Sequence, residues 1–170
     1  MSAAPRPADG LRTKTITWED PSISAAAMAT MTGREQLLAI LDGRLPRPPI
    51  AELIGARLVS IGEGMVVFEC TPDESVYNPI GLVHGGLLCT LLDSAAGCAV
   101  HSLLPAGVGF SSIEIKVSFL SPVTADSGKL VVEGRALRVG RQIAFAEGHA
   151  RTAAGKLVGH ATSSLALMRP

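Results

Sequence analysis

The 170-residue chain is poor in charged side chains and in cysteine, and each shortage excludes a class of protein. Only 18% of the residues are charged, and 15 basic residues balance 15 acidic ones, so the formal net charge is zero. A protein that binds nucleic acid needs a basic face, so nucleic acid is not expected as a main partner. With 47% hydrophobic residues, so few charges suggest that another subunit covers part of the surface.

Cysteine is scarce, and the three cysteines follow no known motif. Cys70, Cys89 and Cys98 are odd in number and lack the Cys-x-x-Cys spacing. A disulfide framework is therefore not expected, and a reducing cytosol fits best. The histidines also lack metal-ligand spacing, so no metal site is expected. Because no Gly-x-Ser-x-Gly motif is present, a serine hydrolase is not expected either.

No stretch of the sequence predicts a membrane span or a leader peptide. The most apolar window, residues 87–104, contains Asp93 and His101, so it is better explained as a core helix than as a span. No basic segment followed by an apolar run opens the chain, so a signal peptide is not expected. The protein is therefore predicted to be cytoplasmic and not bound to a membrane.

Hydrophobic periodicity predicts one long helix, at about 84–104, between two strands and four further strands. Consecutive strands with tight turns pair antiparallel, and a helix that is apolar nearly all round must be covered on all sides. The predicted fold class is therefore α+β, with a curved antiparallel sheet of five to six strands wrapped around the helix. The predicted strands are 57–61, 65–70, 113–119, 129–139, 142–152 and 156–168.

The chain before this pattern is predicted to be an extension of the main domain. Residues 1–48 are assigned to a flexible arm and a short amphipathic helix at 33–41. Residues 49–170 are assigned to the domain itself.

Residues 78–94 join a polar loop, a glycine pair and an apolar helix that carries one carboxylate. Gly85 and Gly86 stand at the start of the helix, where unpaired N–H groups and the positive end of the helix dipole are exposed. Asp93 follows among Leu, Ala and Cys, where an unpaired charge is costly. Such a carboxylate has either a specific partner or a chemical role.

This pattern resembles the hotdog-fold thioesterases of the phenylacetic-acid-degradation (PaaI) type. The resemblance rests on Asn78, Gly81, the triplet His84-Gly85-Gly86 and Asp93, and it covers roughly residues 50–168. It implies a hotdog fold and hydrolysis of acyl-CoA thioesters. It implies no cofactor, because coenzyme A enters as part of the substrate.

The resemblance also implies a role for each site residue. It makes Asp93 the nucleophile or the general base for water, and the Gly85 N–H the donor to the thioester carbonyl oxygen. Asn78 and His84 are implied as supporting polar residues, and Ser112 as a hydroxyl that positions the attacking water in some members. The next serine upstream could serve instead. The residues expected to bind substrate are Gly86, Thr90, Ser111, Gly140 and Arg141, and the last two stand where some members contact the nucleotide of CoA.

Helix geometry separates the two principal groups of this site. Gly85 and Asp93 are eight residues apart, or about 12 Å along the axis at about 1.5 Å per residue, so they cannot both contact one carbonyl carbon. Two antiparallel copies would bring Gly85 of one near Asp93 of the other. A homodimer with two composite sites is therefore predicted, and a tetramer is left open. The small or polar stripe Gly86, Thr90, Asp93 and Gly97 is consistent with a ligand channel or close helix approach.

Two other functions stay open at this point. A non-catalytic acyl-CoA-binding module could use the same fold, although residues 1–48 are too short and too neutral to be its DNA-binding output domain. A hotdog dehydratase or hydratase would need a His/Asp pair on one substrate, which His84 and Asp93 could imitate. The few aromatic residues do not decide between aryl and aliphatic acyl groups.

Overall fold

The computed structural model describes residues 10–169, in which six antiparallel strands form one sheet in the order β1-β2-β4-β5-β6-β3. The first nine residues of the predicted arm and Pro170 lie outside the described residues. The helices are α1 (Pro21–Ala27), α2 (Gly33–Leu41), α3 (Pro49–Ile54) and α4 (Gly85–His101), and the strands are β1 (Ala56–Ile61), β2 (Met65–Cys70), β3 (Gly109–Phe119), β4 (Leu130–Val139), β5 (Ile143–Thr152) and β6 (Leu157–Met168).

The predicted α+β hotdog architecture is confirmed, with the long helix α4 packed against the curved sheet. Helix α4 carries the centre of the core, because Leu91, Leu92, Ala95 and Ala99 have no exposed surface. Burying one leucine side chain contributes about 1.5–3 kcal/mol, so this apolar face stabilises the helix against the sheet.

A glycine on β4 lets the sheet approach the backbone of α4. A Cβ atom added at Gly134 would lie 2.1 Å from the carbonyl oxygen of Ala95, closer than any real contact. The absence of a side chain therefore permits this packing, and it fixes the position of α4 along the sheet.

Strand β3 is an edge of the sheet. It pairs with β6 from Gly109 to Phe119, and no strand of the described residues pairs with its other side. Two large apolar side chains on β3 are exposed, Ile113 at 59% and Phe119 at 56%. An open edge of this length and composition offers unpaired backbone groups to another strand.

The N-terminal extension is attached to the body through a buried polar contact. Helix α2 begins in a capping box, in which Thr32 and Glu35 bond each other's backbone N–H. The amide of Gln36 donates to the carbonyl of Ser24 over 2.6 Å, and its Oε1 lies 2.7 Å from His101 Nε2. Because Oε1 only accepts, His101 carries its proton on Nε2. This contact ties α2 to the end of α4.

His101 should make stability depend on pH. Burial lowers the pKa of His101, so the unfolded chain binds this proton more readily than the folded chain. As pH falls below about 6.5, the unfolded state gains protons and the free energy of unfolding decreases. Urea denaturation between pH 8 and pH 5.5 measures this loss.

The variant His101→Gln should lose less stability than the wild type over the same pH range, because its amide can still donate to Gln36 but does not titrate. The other histidines are unchanged in both proteins and provide the common background. An equal loss in both proteins would assign the pH dependence to other groups.

Candidate active site

The start of α4 is capped by the side chain of His84. Its backbone is extended, with φ −63° and ψ 135°, and its Nδ1 accepts the N–H of Gly86 over 2.9 Å. This bond requires an unprotonated Nδ1. The N–H of Gly85 has no acceptor among the described residues. The helix therefore presents one unpaired backbone donor at its positive end.

Asn78 shapes the loop that leads into α4. Its Oδ1 accepts the N–H groups of Ile80 over 3.1 Å and Leu82 over 3.0 Å. Gly81 has φ 77°, in the left-handed region that glycine favours, and closes the turn by donating to the Asn78 carbonyl. The loop therefore holds the chain entering the helix in one conformation.

Asn78 and Gly85 line one cavity of about 400 Å³, together with Phe119. A Cβ added at Gly85 would lie 2.9 Å from Cζ of the Phe119 ring. Glycine here keeps the backbone donor accessible beside that ring. Gly85, the predicted donor, and Asn78, the predicted supporting polar residue, therefore line the same cavity.

Asp93 is half-buried two turns further along α4, and its Oδ1 accepts the Ser112 hydroxyl over 2.7 Å. Ser112 lies on β3 and holds the carboxylate in one orientation. Asp93 and Ser94 line a second cavity, of about 590 Å³. The predicted pair of Asp93 and Ser112 is therefore in direct contact.

The remaining predicted residues lie in different surroundings. The Thr90 hydroxyl donates to the Gly86 carbonyl over 3.0 Å, so it bonds its own helix. Ser111 is exposed on β3. Gly140 and Arg141 form the β4–β5 turn and line neither of these two cavities.

The stripe predicted along α4 is closed at its far end. A Cβ added at Gly97 would lie 2.6 Å from the ring of Phe110, so that ring covers the helix there. The stripe of small and polar residues is therefore closely packed against Phe110 at Gly97, and it is open only nearer the start of α4. The contacts of Phe110 with Gly97 and of Phe119 with Gly85 could not be predicted from the sequence pattern, because both rings lie far from residues 78–94 along the chain.

The two groups of site residues face different cavities of one copy. Asn78 and Gly85 line the smaller cavity, Asp93 lines the larger one, and the two have no lining residue in common within residues 10–169. One copy therefore places Asn78 and Gly85 in one cavity and Asp93 in another, and we call these the Gly85 half-site and the Asp93 half-site.

Cys98 also lines the larger cavity but is not a nucleophile at neutral pH. Burial, and then the nearby Asp93 carboxylate, raise the pKa of its thiol to about 12. Since the thiolate is the reactive form, the thiol stays inert.

Residues 10–169 contain neither a candidate metal site nor a candidate membrane span. No three His, Cys, Asp or Glu side chains in this part of the chain are grouped so that they could hold a metal ion. None of its helices has both the length and the apolar composition to cross a bilayer.

Sequence and structure comparisons connect the chain to known proteins. The sequence model of the thioesterase superfamily matches residues 80–158. Human acyl-coenzyme A thioesterase 13 is 31% identical over 88 residues, which cover 52% of this chain and 61% of that protein. A Halobacterium salinarum protein named as an esterase is 41% identical over 69 residues, covering 39% of this chain and 44% of that protein. The chain thus aligns with about half the length of these two relatives.

The solved structures extend the likeness beyond the matched segment. A phenylacetic acid degradation-related protein from Ralstonia eutropha superimposes with a TM-score of 0.71 at 29% identity, over 76% of this chain and 98% of that one.

The predicted resemblance is confirmed: residues 80–158 match the thioesterase superfamily, and the hotdog fold is shared with the Ralstonia eutropha protein. Within that class, the structural likeness is to the PaaI type. The match to this superfamily supports thioester hydrolysis as the class of reaction.

Proposed function

We propose that the protein is a homodimeric acyl-CoA thioesterase that hydrolyses a CoA thioester to a free acid and coenzyme A, with no separate cofactor. The observation that carries this proposal is the Asp93 carboxylate, held by Ser112 at the wall of a largely apolar cavity. The match of residues 80–158 to the thioesterase superfamily supports the same class of reaction.

The start of α4 supplies the electrophilic half of the reaction. As a nucleophile attacks the thioester carbon, negative charge develops on the carbonyl oxygen. The unpaired N–H of Gly85 is fixed by the helix, so it can stabilise that charge without reorganising. Asn78 and His84 act by holding the loop and the helix start that carry this donor.

Asp93 supplies the other half. As a general base it takes a proton from water, whose oxygen bonds to the carbonyl carbon; as a nucleophile it forms a mixed anhydride that water then cleaves. In both routes the C–S bond breaks, and the coenzyme A sulfur leaves with a proton. The Ser112 bond to Oδ1 leaves Oδ2 to carry out the attack or the proton transfer.

A dimer formed through β3 brings the two half-sites together. Ser112 at one end of β3 contacts Asp93, and Phe119 at the other end lies over Gly85. If two copies pair antiparallel along the open β3 edge, centred near Lys116, the Ser112 end of one copy lies beside the Phe119 end of the other. The exposed Ile113 and Phe119 would be covered in this pairing.

The hydratase alternative is less well supported by the contacts of His84. An acid–base pair would act through an imidazole and a carboxylate on one substrate, whereas His84 uses Nδ1 to cap α4, keeps only Nε2 for a substrate, and makes no hydrogen bond with Asp93 among residues 10–169. The non-catalytic binding module is also less well supported, because it gives the hydrogen bond between Asp93 and Ser112 no role.

A panel of acyl-CoA substrates distinguishes these functions. We expect time-dependent release of coenzyme A thiol, detected with a disulfide dye, from at least one apolar acyl-CoA. Crotonyl-CoA is included, and loss of its double bond is followed by absorbance. Loss of that double bond without thiol release would contradict the thioesterase and support the hydratase. Binding of acyl-CoA without either reaction would support the binding module.

A further inference from the structure

The larger cavity lies between α4 and the part of the chain that contains α2 and α3. One wall is α4, at Asp93, Ser94 and Cys98, and the facing wall comes from α2, α3 and the segment between them. The apolar members of the facing wall include Leu41, Leu45, Pro48, Ile50, Ala51 and Ile54. These residues all precede the segment 80–158 that matches the superfamily, and they lie on both sides of the predicted boundary at residue 48.

We infer that this cavity holds the acyl group of the thioester, and that α2 and α3 make the enzyme selective for medium-length or longer apolar acyl groups over acetyl. The inference rests on the proposed function, because it assigns a substrate to the same site. It goes further in identifying α2 and α3 as the segments that determine which length of acyl group is accepted.

Continuity with Asp93 assigns the acyl end of the substrate to this cavity. The carboxylate that attacks, or that activates water, must lie next to the thioester carbon, and the acyl chain begins at that carbon. Asp93 lines the cavity together with apolar residues. An acyl chain that extends from the thioester carbon on the Asp93 side therefore enters this apolar cavity.

The chemistry of the walls excludes the nucleotide part of coenzyme A. Phosphates need cationic partners, and the cations on this cavity, Arg47 and Arg57, are both paired with Glu52 over 2.6 Å and 3.4 Å. Both guanidinium groups are more than 40% exposed, so they lie at the rim. The interior offers aliphatic side chains, which favour an apolar ligand.

The size of the cavity favours an acyl group larger than acetyl. Its volume of about 590 Å³ lies within the range of about 300–1,000 Å³ typical of small-molecule sites. Each methylene that enters it leaves water and raises kcat/KM by up to about fourfold. Acetyl-CoA would leave most of the space unfilled and gain little from it.

Filling the cavity tests the inference. Ala51 is half-buried on α3 and lines the cavity, so Ala51→Phe places a ring inside it. We expect kcat/KM of the wild type to rise from acetyl-CoA through butyryl-, hexanoyl- and octanoyl-CoA. Ala51→Phe should lose more than about tenfold with octanoyl-CoA and less than about twofold with butyryl-CoA. The matched control Ala25→Phe, exposed on α1, should retain the wild-type profile.

A second variant covers the case in which the first does not fold, as judged by circular dichroism. Leu41→Ala removes a 39% exposed side chain from the same wall and should shift the optimum to longer acyl groups. A wild type that prefers acetyl-CoA, or profiles that neither variant changes, would overturn the inference and leave the proposed function standing. Absence of hydrolysis with every acyl-CoA would instead refute the proposed function.

Discussion

Replacing Asp93 with asparagine is expected to lower kcat for thioester hydrolysis by about two to four orders of magnitude while KM changes little. The amide has the shape of the carboxylate, and its oxygen can still accept the Ser112 hydroxyl. It can neither attack the thioester nor take a proton from water. Steady-state thiol release across a range of substrate concentrations separates kcat from KM.

The control for this substitution is Asp126→Asn, the same exchange at an exposed position in the turn before β4. It should leave both kinetic constants unchanged. An Asp93→Asn protein that is folded and still turns over at the wild-type rate would remove Asp93 from the mechanism. A folded variant with unchanged kcat and a raised KM would reduce Asp93 to a binding role.

Replacing Gly85 with proline is expected to lower kcat by about 10²–10³-fold, the usual effect of losing one oxyanion donor. Gly85 is the first residue of α4, a position where proline is well tolerated. The extended backbone of His84, with ψ 135°, is also compatible with a following proline. The exchange therefore removes the N–H with little cost to the helix.

The alanine variant at the same position isolates the lost donor. Gly85→Ala introduces the same Cβ beside the exposed Phe119 ring but keeps the N–H. It should lose far less activity than Gly85→Pro when both are assayed with one acyl-CoA. If the two variants lose activity equally, the effect arises from contact with the ring and not from the missing donor.

The fold could be predicted from the sequence because its signals are local. Alternating apolar residues and glycine turns gave strand limits within about one residue for every strand except β3. Strand β3 begins at Gly109, four residues before the predicted start at Ile113. A bulge between Ser112 and Glu114 breaks the alternation there, so the first residues carry no periodic signal.

The site could be predicted only in part. The interval from Gly85 to Asp93 and the rise of a helix predict that the two residues lie apart, and in the structure they line separate cavities; their roles in two half-sites stay a prediction. The facing wall from α2 and α3 could not be predicted, because it depends on how an extension folds back on the body. The hydrogen bond between Gln36 and His101 joins residues far apart in sequence, so no local sequence pattern predicts it.

The central claim is that each active site contains Asp93 from one copy and Gly85 from the other. Two differently tagged chains, one with Asp93→Asn and one with Gly85→Pro, can be co-expressed and the mixed dimer purified through both tags. One of its two composite sites would then be intact, and we expect about half of the wild-type activity. Activity no greater than that of the two separate variants would contradict the account.

The reciprocal dimer makes this measurement decisive. When a chain carrying both substitutions is paired with a wild-type chain, every composite site contains one altered residue, so hydrolysis should be nearly absent. If each chain instead held its own complete site, this dimer would keep about half of the wild-type activity and the first mixed dimer would be inactive. We expect about half of the wild-type activity in the first dimer and almost none in the second, and the reverse result would contradict a site shared between two copies.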